Sequence, residues 1–511
     1  MRILNVLRNT GYSITSFIYI ALLGIFVRKL FTQYLPIEFL GLEGLFSNII
    51  TMLSLAELGV STVISYNLYR EIANDNKKEI NMLMALYRYV YTIIGSFIFC
   101  IGIVLFFFLP IFVKGTNLPW HYVQLVYAIQ IATVLSTYFL AYKRILFSAD
   151  QKDYICIKID MICKIFNGFV QIAAIVYFKN YIFYAVSALI FNILANVVIT
   201  YKVKTVYPFI KNAKVTLNVL KERKFFLDIK NLMIQKISGI FYGGLDMVIV
   251  SSFLGLKAVG LLSNYLLIHA GIYAVLYKCF QGIIPSLGNL VYSEDKDRSI
   301  SVYNVLDLAY SFLGSYVCCV YIIVFQPFIG LFFGKQFLLP NEYVVLLAIS
   351  VFLSMQFENA YNYRSTHGNF DNDRLYMSLS AISKLVIAVV FVKYWGIQGL
   401  VLGSIVGLGF IVYGRIQFVF RVIFQISMRK YLIKHLLFSL LTGIEIVGIK
   451  YLFAWFDFEV NYMNLIIECV LIGFIMLAIQ STLFYKAKEF QELLRYASET
   501  VRILKSKLQH S

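Results

Sequence analysis

The chain has 511 residues, 60% of them hydrophobic and 14% charged, with a mean hydropathy of +0.77. A soluble domain cannot conceal that much apolar surface, so the composition points to a polytopic membrane protein. The formal net charge of +18 raises nucleic-acid binding as a class, which the placement of the charge along the chain then removes.

At the start, Arg2 and Arg8 precede an apolar run that ends at Arg28-Lys29 without a small-residue cleavage site, so it reads as an uncleaved first helix. A membrane-spanning helix needs about 20 mostly apolar residues. That rule gives fourteen, starting near Gly11, Gly41, Met84, Tyr122, Ile159, Tyr181, Asn231, Leu261, Tyr303, Asn341, Leu375, Ile397, His435 and Met463. Lys179-Asn180 and Trp395-Gly396 leave room only for tight turns. Two stretches are longer. Tyr201–Lys230 carries eight basic residues among Phe209, Val215, Leu217, Val219 and Leu220, the pattern of an amphipathic surface helix and linker. Lys486–Ser511 is a basic tail with the same helical character. Both are topology determinants that also suit anionic lipid headgroups.

With the N-terminus in the cytoplasm, the inner loops and tails hold 34 of the 45 Lys and Arg, and the outer turns hold eight. Trp120, Trp395 and Trp455 all fall at outer helix ends, where indole prefers the interface. The expectation is a multi-pass protein of the cytoplasmic membrane with both termini inside. The positive charge is then a topology signal, and no nucleic-acid partner is expected.

The second half repeats the first. Gly44-Leu45-Phe46-Ser47-Asn48 and Gly260-Leu261-Leu262-Ser263-Asn264 each open the second helix of a six-helix set. This duplication predicts an all-α fold of two pseudo-symmetric six-helix bundles around a central cavity, plus two extra helices. The lobes are 1–212 and 213–428, with helices thirteen and fourteen and the tail in 429–511. Gly399, Gly403 and Gly407 on one helix, and Gly239 and Gly243 on another, have the spacing that lets helix backbones approach closely.

No enzyme signature is present. The five histidines are isolated, no phosphate-binding glycine loop or nucleophile elbow occurs, and the outer loops are too short to house a transferase or polymerase site. The seven cysteines are scattered in or beside apolar spans and read as small hydrophobes. No metal and no cofactor is expected beyond a coupling proton or sodium ion.

What remains is charge in the wrong place. A Lys, Arg or Asp at a helix centre costs about 2.5–3.5 kcal/mol, so each needs a reason. Lys278 and Lys384 fall near mid-depth, Lys236 in the inner half, Arg28 near the outer end of the first helix, and Lys143 and Arg144 at the inner end of the fourth. Either they line a cationic path or they pair with acids and hold the bundle together; Lys236 can also snorkel to the interface. Glu57 and Asp246 are open to two readings, ion coupling or a salt bridge. Glu358, Glu445 and Glu468 read as structural. A drug or cation exporter needs carboxylates facing its substrate, whereas Lys and Arg suit a pyrophosphate. Pro285 lies inside an apolar span and marks a bend.

Several stretches resemble the Wzx-type polysaccharide flippases of the multidrug/oligosaccharidyl-lipid/polysaccharide exporter superfamily. They are Tyr34-Leu35 through Leu53 to Gly59, Ser148 to Tyr154, Asp246 with Ser251–Gly255 and Val259–Tyr265, and Pro285 to Asn289. The resemblance implies two six-helix lobes, alternating access and an undecaprenyl-pyrophosphate-linked oligosaccharide as substrate, moved for capsule or other surface polysaccharide assembly. It also implies ion-gradient coupling and, as partners, membrane lipids and the polysaccharide polymerase and export machinery. One departure stands out: Leu245 replaces the small polar residue that usually precedes the Asp matching Asp246. The alternatives are a drug/cation antiporter of the same superfamily and a polyprenyl-linked sugar transferase or polymerase.

Overall fold

The structure is a computed structural model that describes residues 2–53, 60–210, 239, 242–281, 296–366, 371–456 and 458–509. Those residues contain no strand and are almost entirely helical. In chain order the helices are α1 (Arg2–Tyr34), α2 (Ile37–Leu53), α3 (Val60–Ala73), α4 (Lys77–Phe112), α5 (Trp120–Leu140) and α6 (Arg144–Ala149). There follow α7 (Tyr154–Val176), α8 (Tyr181–Val206), α9 (Asp246–Leu254), α10 (Leu256–Gln281), α11 (Lys296–Val320), α12 (Gln326–Phe333) and α13 (Asn341–Gln356). The chain ends with α14 (Glu358–Thr366), α15 (Asp371–Trp395), α16 (Ile397–Gln417), α17 (Arg429–Phe456), α18 (Tyr462–Phe484) and α19 (Lys488–Gln509).

Twelve helical segments among the described residues are long and apolar enough to cross a membrane. The fourteen read from sequence differ by two. The second is described as α2 and α3, with 54–59 between them, and most of the seventh lies outside the described residues. Large apolar side chains such as Phe107, Trp455 and Phe474 are exposed, as lipid-facing residues are. The two tight turns form as expected, Lys179 and Gly396 taking positive φ. Asn76, Asn180 and Asn461 cap the helices that follow them, each side chain accepting a backbone N–H.

Helices begin earlier than hydropathy alone suggests. α7 starts at Tyr154 rather than Ile159, α11 at Lys296 rather than Tyr303, and α17 at Arg429 rather than His435. Polar or charged first turns extend α11 and α17 beyond their apolar spans, and α7 gains the turn Tyr154 to Ile157 before Lys158.

Contact density divides the chain into two compact units, Met1–Asn264 and Tyr265–Ser511. The expected lobe boundary at 212/213 falls outside the described residues. In the first unit, α1 packs on α7 so closely that a Cβ on Gly168 would come within 2.5 Å of Leu23. Phe31, Leu40, Leu45, Phe46, Val123 and Ile175 form one of its cores. The two copies of the repeated motif also pack on each other here. A Cβ on Gly41 would strike the Leu256 carbonyl oxygen, and one on Gly260 would lie 2.6 Å from that of Ile37. Gly255, at φ +86°, lets Leu256 donate its N–H to the Lys114 carbonyl at 3.0 Å.

In the second unit, Gly399 and Gly403 of α16 seat against α15, where a Cβ would come within 2.3 Å of Phe391 and 2.7 Å of the Lys384 backbone. The small-residue reading holds there. Gly239 and Gly243 have nothing within 4 Å of an added Cβ among the described residues. α19 docks on α11: Arg298 donates to the Tyr496 hydroxyl at 2.9 Å and Ser301 to Glu492 at 2.8 Å.

Candidate functional site

Arg28 sits on α1 three residues before Phe31, whose ring meets Tyr181 and Tyr184 of α8 edge-on. Its guanidinium is largely buried and touches one carboxylate, Nη1 to Glu43 Oε2 of α2, at 3.4 Å. That distance is long for a charge-assisted bond. Arg28 Nε is buried with no hydrogen-bond partner among the described residues. The group is therefore only partly satisfied.

Arg144 is held differently. At the start of α6, it forks onto Asp160 of α7 through two bonds of 2.9 and 2.5 Å. Its Nε donates to Asn196 Oδ1 of α8 at 2.9 Å. This planar, bidentate arrangement is the one a guanidinium makes best. Lys143 beside it lies 5.6 Å from the Tyr142 ring centroid. Asp153, in the turn before α7, has its carboxyl pushed up by burial, against the pull of Arg144.

The remaining candidates are placed unequally. Lys384 of α15 is buried and engaged within the protein. Asp246 opens α9, half-buried, and is also engaged. Lys278 falls near the end of α10 with its side chain outside the described residues. Lys236, Glu57 and Pro285 lie outside them altogether.

Two buried polar clusters in the second unit were not foreseen as such. Glu445 of α17 accepts from Gln480 Nε2 of α18 at 2.9 Å, and Gln480 also donates to Ser315 of α11 at 2.7 Å. Between the middle of α11 and the start of α17, His435 Nε2 lies 2.9 Å from Asp307 Oδ2, while Tyr431 donates to Asp307 Oδ1 at 2.9 Å. The Tyr303 hydroxyl meets that of Tyr431 at 3.1 Å. These groups satisfy one another only in part: Glu445 Oε1 and both His435 ring nitrogens are buried without a well-aligned hydrogen bond among the described residues. Among the described residues no three His, Cys, Asp or Glu side chains converge as metal ligands would.

Neither family models nor curated proteins match the chain. Solved structures do. The lipid II flippase MurJ, in an inward closed conformation, superposes with a TM-score of 0.70 over 93% of this chain and 99% of its own, at 16% identity. The chain shares the MurJ fold. A multidrug resistance MATE family transporter of the MOP superfamily, inward-facing, follows with a TM-score of 0.56, 15% identity, and 78% and 94% of the two chains covered. A Vibrio cholerae MATE transporter gives 0.51 and 13%, over 83% and 98%. These neighbours are flippase and transporters, in line with the exporter-superfamily resemblance read from the sequence. MurJ covers more of this chain than either MATE structure does, and superposes more closely.

Proposed function

We propose that the protein is a flippase that moves an undecaprenyl-pyrophosphate-linked oligosaccharide across the cytoplasmic membrane for surface polysaccharide assembly. The observation that carries this reading is Arg28. A guanidinium inside an apolar helix is costly, yet this one is incompletely paired, with a buried Nε that has no partner among the described residues. Such a group is suited to meet phosphate oxygens, whose charge-assisted bonds are shorter and stronger than its contact with Glu43. The fold shared with MurJ supports a lipid-linked cargo.

Lys384, Lys278 and Lys236 are the further cations proposed for the pyrophosphate, by alternating access with both termini cytoplasmic. Asp246 and Glu57 are proposed to take the coupling proton or sodium ion. Membrane lipids and the polymerase and export machinery would be its partners. The MATE likeness favours one competing reading, a drug/cation antiporter.

The test is deletion of the gene, with lipid-linked oligosaccharide assayed by leaflet, and complementation by variants. The flippase reading expects accumulation on the cytoplasmic side, corrected by wild type. Arg28→Gln is expected to restore less than a tenth of wild-type export at equal membrane abundance, and Arg28→Lys to restore more. Full correction by Arg28→Gln contradicts the assignment of Arg28. Accumulation of flipped, unpolymerised units outside contradicts the flippase.

A further inference from the structure

The first unit contains a pocket of about 400 Å³ between α5, α7 and α8. Its wall is a continuous hydrogen-bonded ladder. Asn192 Nδ2 donates to Thr137 Oγ1 at 3.3 Å, Asn196 Nδ2 to Asn192 Oδ1 at 2.8 Å, and Arg144 to Asn196 Oδ1 at 2.9 Å, before Arg144 closes on Asp160. Asn167, one face along α7 from Asp160, adds a buried Oδ1 with no partner among the described residues.

The chemistry of this wall narrows what it can hold. Arg144 and Asp160 cancel each other, so an anion meets the carboxylate and a cation meets the guanidinium. Lys164, exposed at the rim, disfavours cations further. What the ladder still offers is alternating capacity. Each Asn amide has a second N–H, Arg144 has two, and the Asp160 oxygens and Asn167 Oδ1 have lone pairs to spare. Hydroxyl groups, which donate and accept at once, match that alternation. Phe191 contributes an aromatic side chain to the same wall. The volume lies within the range of small-ligand sites.

We propose that this pocket binds a sugar ring, the uncharged, hydroxyl-rich part of the cargo, within the first unit and apart from the cations assigned to the pyrophosphate. The inference rests on the flippase reading for its choice of ligand, and on the wall for its place. The Arg144–Asp160 pair is a positioning element. It also borders a second cavity of about 570 Å³, lined by Thr137, Arg144 and Asp160 as well, so the sugar rests against a partition between two spaces.

The experiment uses the purified full-length protein in detergent and a panel of free sugars: glucose, galactose, N-acetylglucosamine and maltose at millimolar concentration. Thermal shift and isothermal titration are read. At least one sugar is expected to bind. Asn167→Leu, nearly isosteric and at an oxygen that bonds to no described residue, should raise its Kd at least tenfold without lowering the melting temperature of the free protein. Asn192→Val is the second variant. No binding by any of the four sugars, or equal binding by wild type and both pocket variants, overturns the pocket. Sugar binding as expected, with no lipid-linked oligosaccharide flipped by wild type, overturns the flippase reading and leaves the pocket standing.

Discussion

Two arginines that look alike in the sequence have opposite surroundings. Arg28 has one loose carboxylate contact, whereas Arg144 has a bidentate one plus an amide. Removing one member of the Arg144–Asp160 pair leaves the other with bonds unmade, and hydrogen bonds to charged groups are worth about 1.5–3 kcal/mol. Both side chains are roughly 30% exposed, so solvent screening sets the expectation at the low end of that range. Asp160→Leu and Arg144→Met should therefore each lower stability by about 1.5 kcal/mol. The double replacement Arg144→Met with Asp160→Leu should recover most of the loss, because an apolar pair of similar volume needs no partner. A double-mutant cycle by thermal unfolding in detergent checks this; additive losses contradict the pairing. Asp160 of this pair, and the Asp307–His435 pair of the second unit, were not singled out in the sequence for a definite reason. Asp160, Asp307 and His435 lie at or near the edge of the apolar windows, where charge is normal and calls for no explanation. Because α7, α11 and α17 start five to seven residues earlier than hydropathy places them, these residues are inside helices and face partners. The N-terminal signal was there: Tyr154 follows an acidic turn, and Asp297 sits in the first turn of α11. The Asn and Thr rungs were missed because intramembrane charge was counted and neutral polarity was not.

At the scale of the helix, glycine spacing was legible where a neighbour exists to fill it. Gly403 presses on the α15 backbone; Gly41 and Gly260, which the spacing did not single out, bring α2 and α10 together at Leu256 and Ile37. In each case the obstacle to a side chain includes backbone, which cannot rotate away. Gly403→Leu and Gly260→Leu should each destabilise the protein by about 3 kcal/mol, the upper range for overpacking. Gly239→Leu, with open space around it among the described residues, should change the melting temperature little. Equal tolerance at all three positions would contradict the packing described. The echo between GLFSN and GLLSN pointed to a duplication but not to this contact, since five residues carry position and no partner. The tail shows a similar division. Its helical character was readable, but its docking through Tyr496 and Glu492 needed the partner residues Arg298 and Ser301, which no local pattern reveals.

At the scale of the molecule, spans and fold class were set by hydropathy and charge asymmetry, which act over whole helices and survive errors at their ends. The fold shared with MurJ and the MATE transporters agrees with the all-α, multi-pass fold read from the sequence. Function is carried by far fewer residues. The choice between a lipid-linked oligosaccharide and a cationic drug rests on the sign of unpaired charge, and Arg28 is the described residue that weighs most. The most direct measurement is transport by the purified protein in liposomes, with an undecaprenyl-pyrophosphate-linked oligosaccharide loaded in one leaflet and its appearance in the other read by a membrane-impermeant sugar-modifying reagent. The account predicts protein-dependent flipping, reduced at least tenfold by Arg28→Gln and unaffected by ethidium. Protein-dependent ethidium transport with the lipid-linked sugar left in its original leaflet would contradict it.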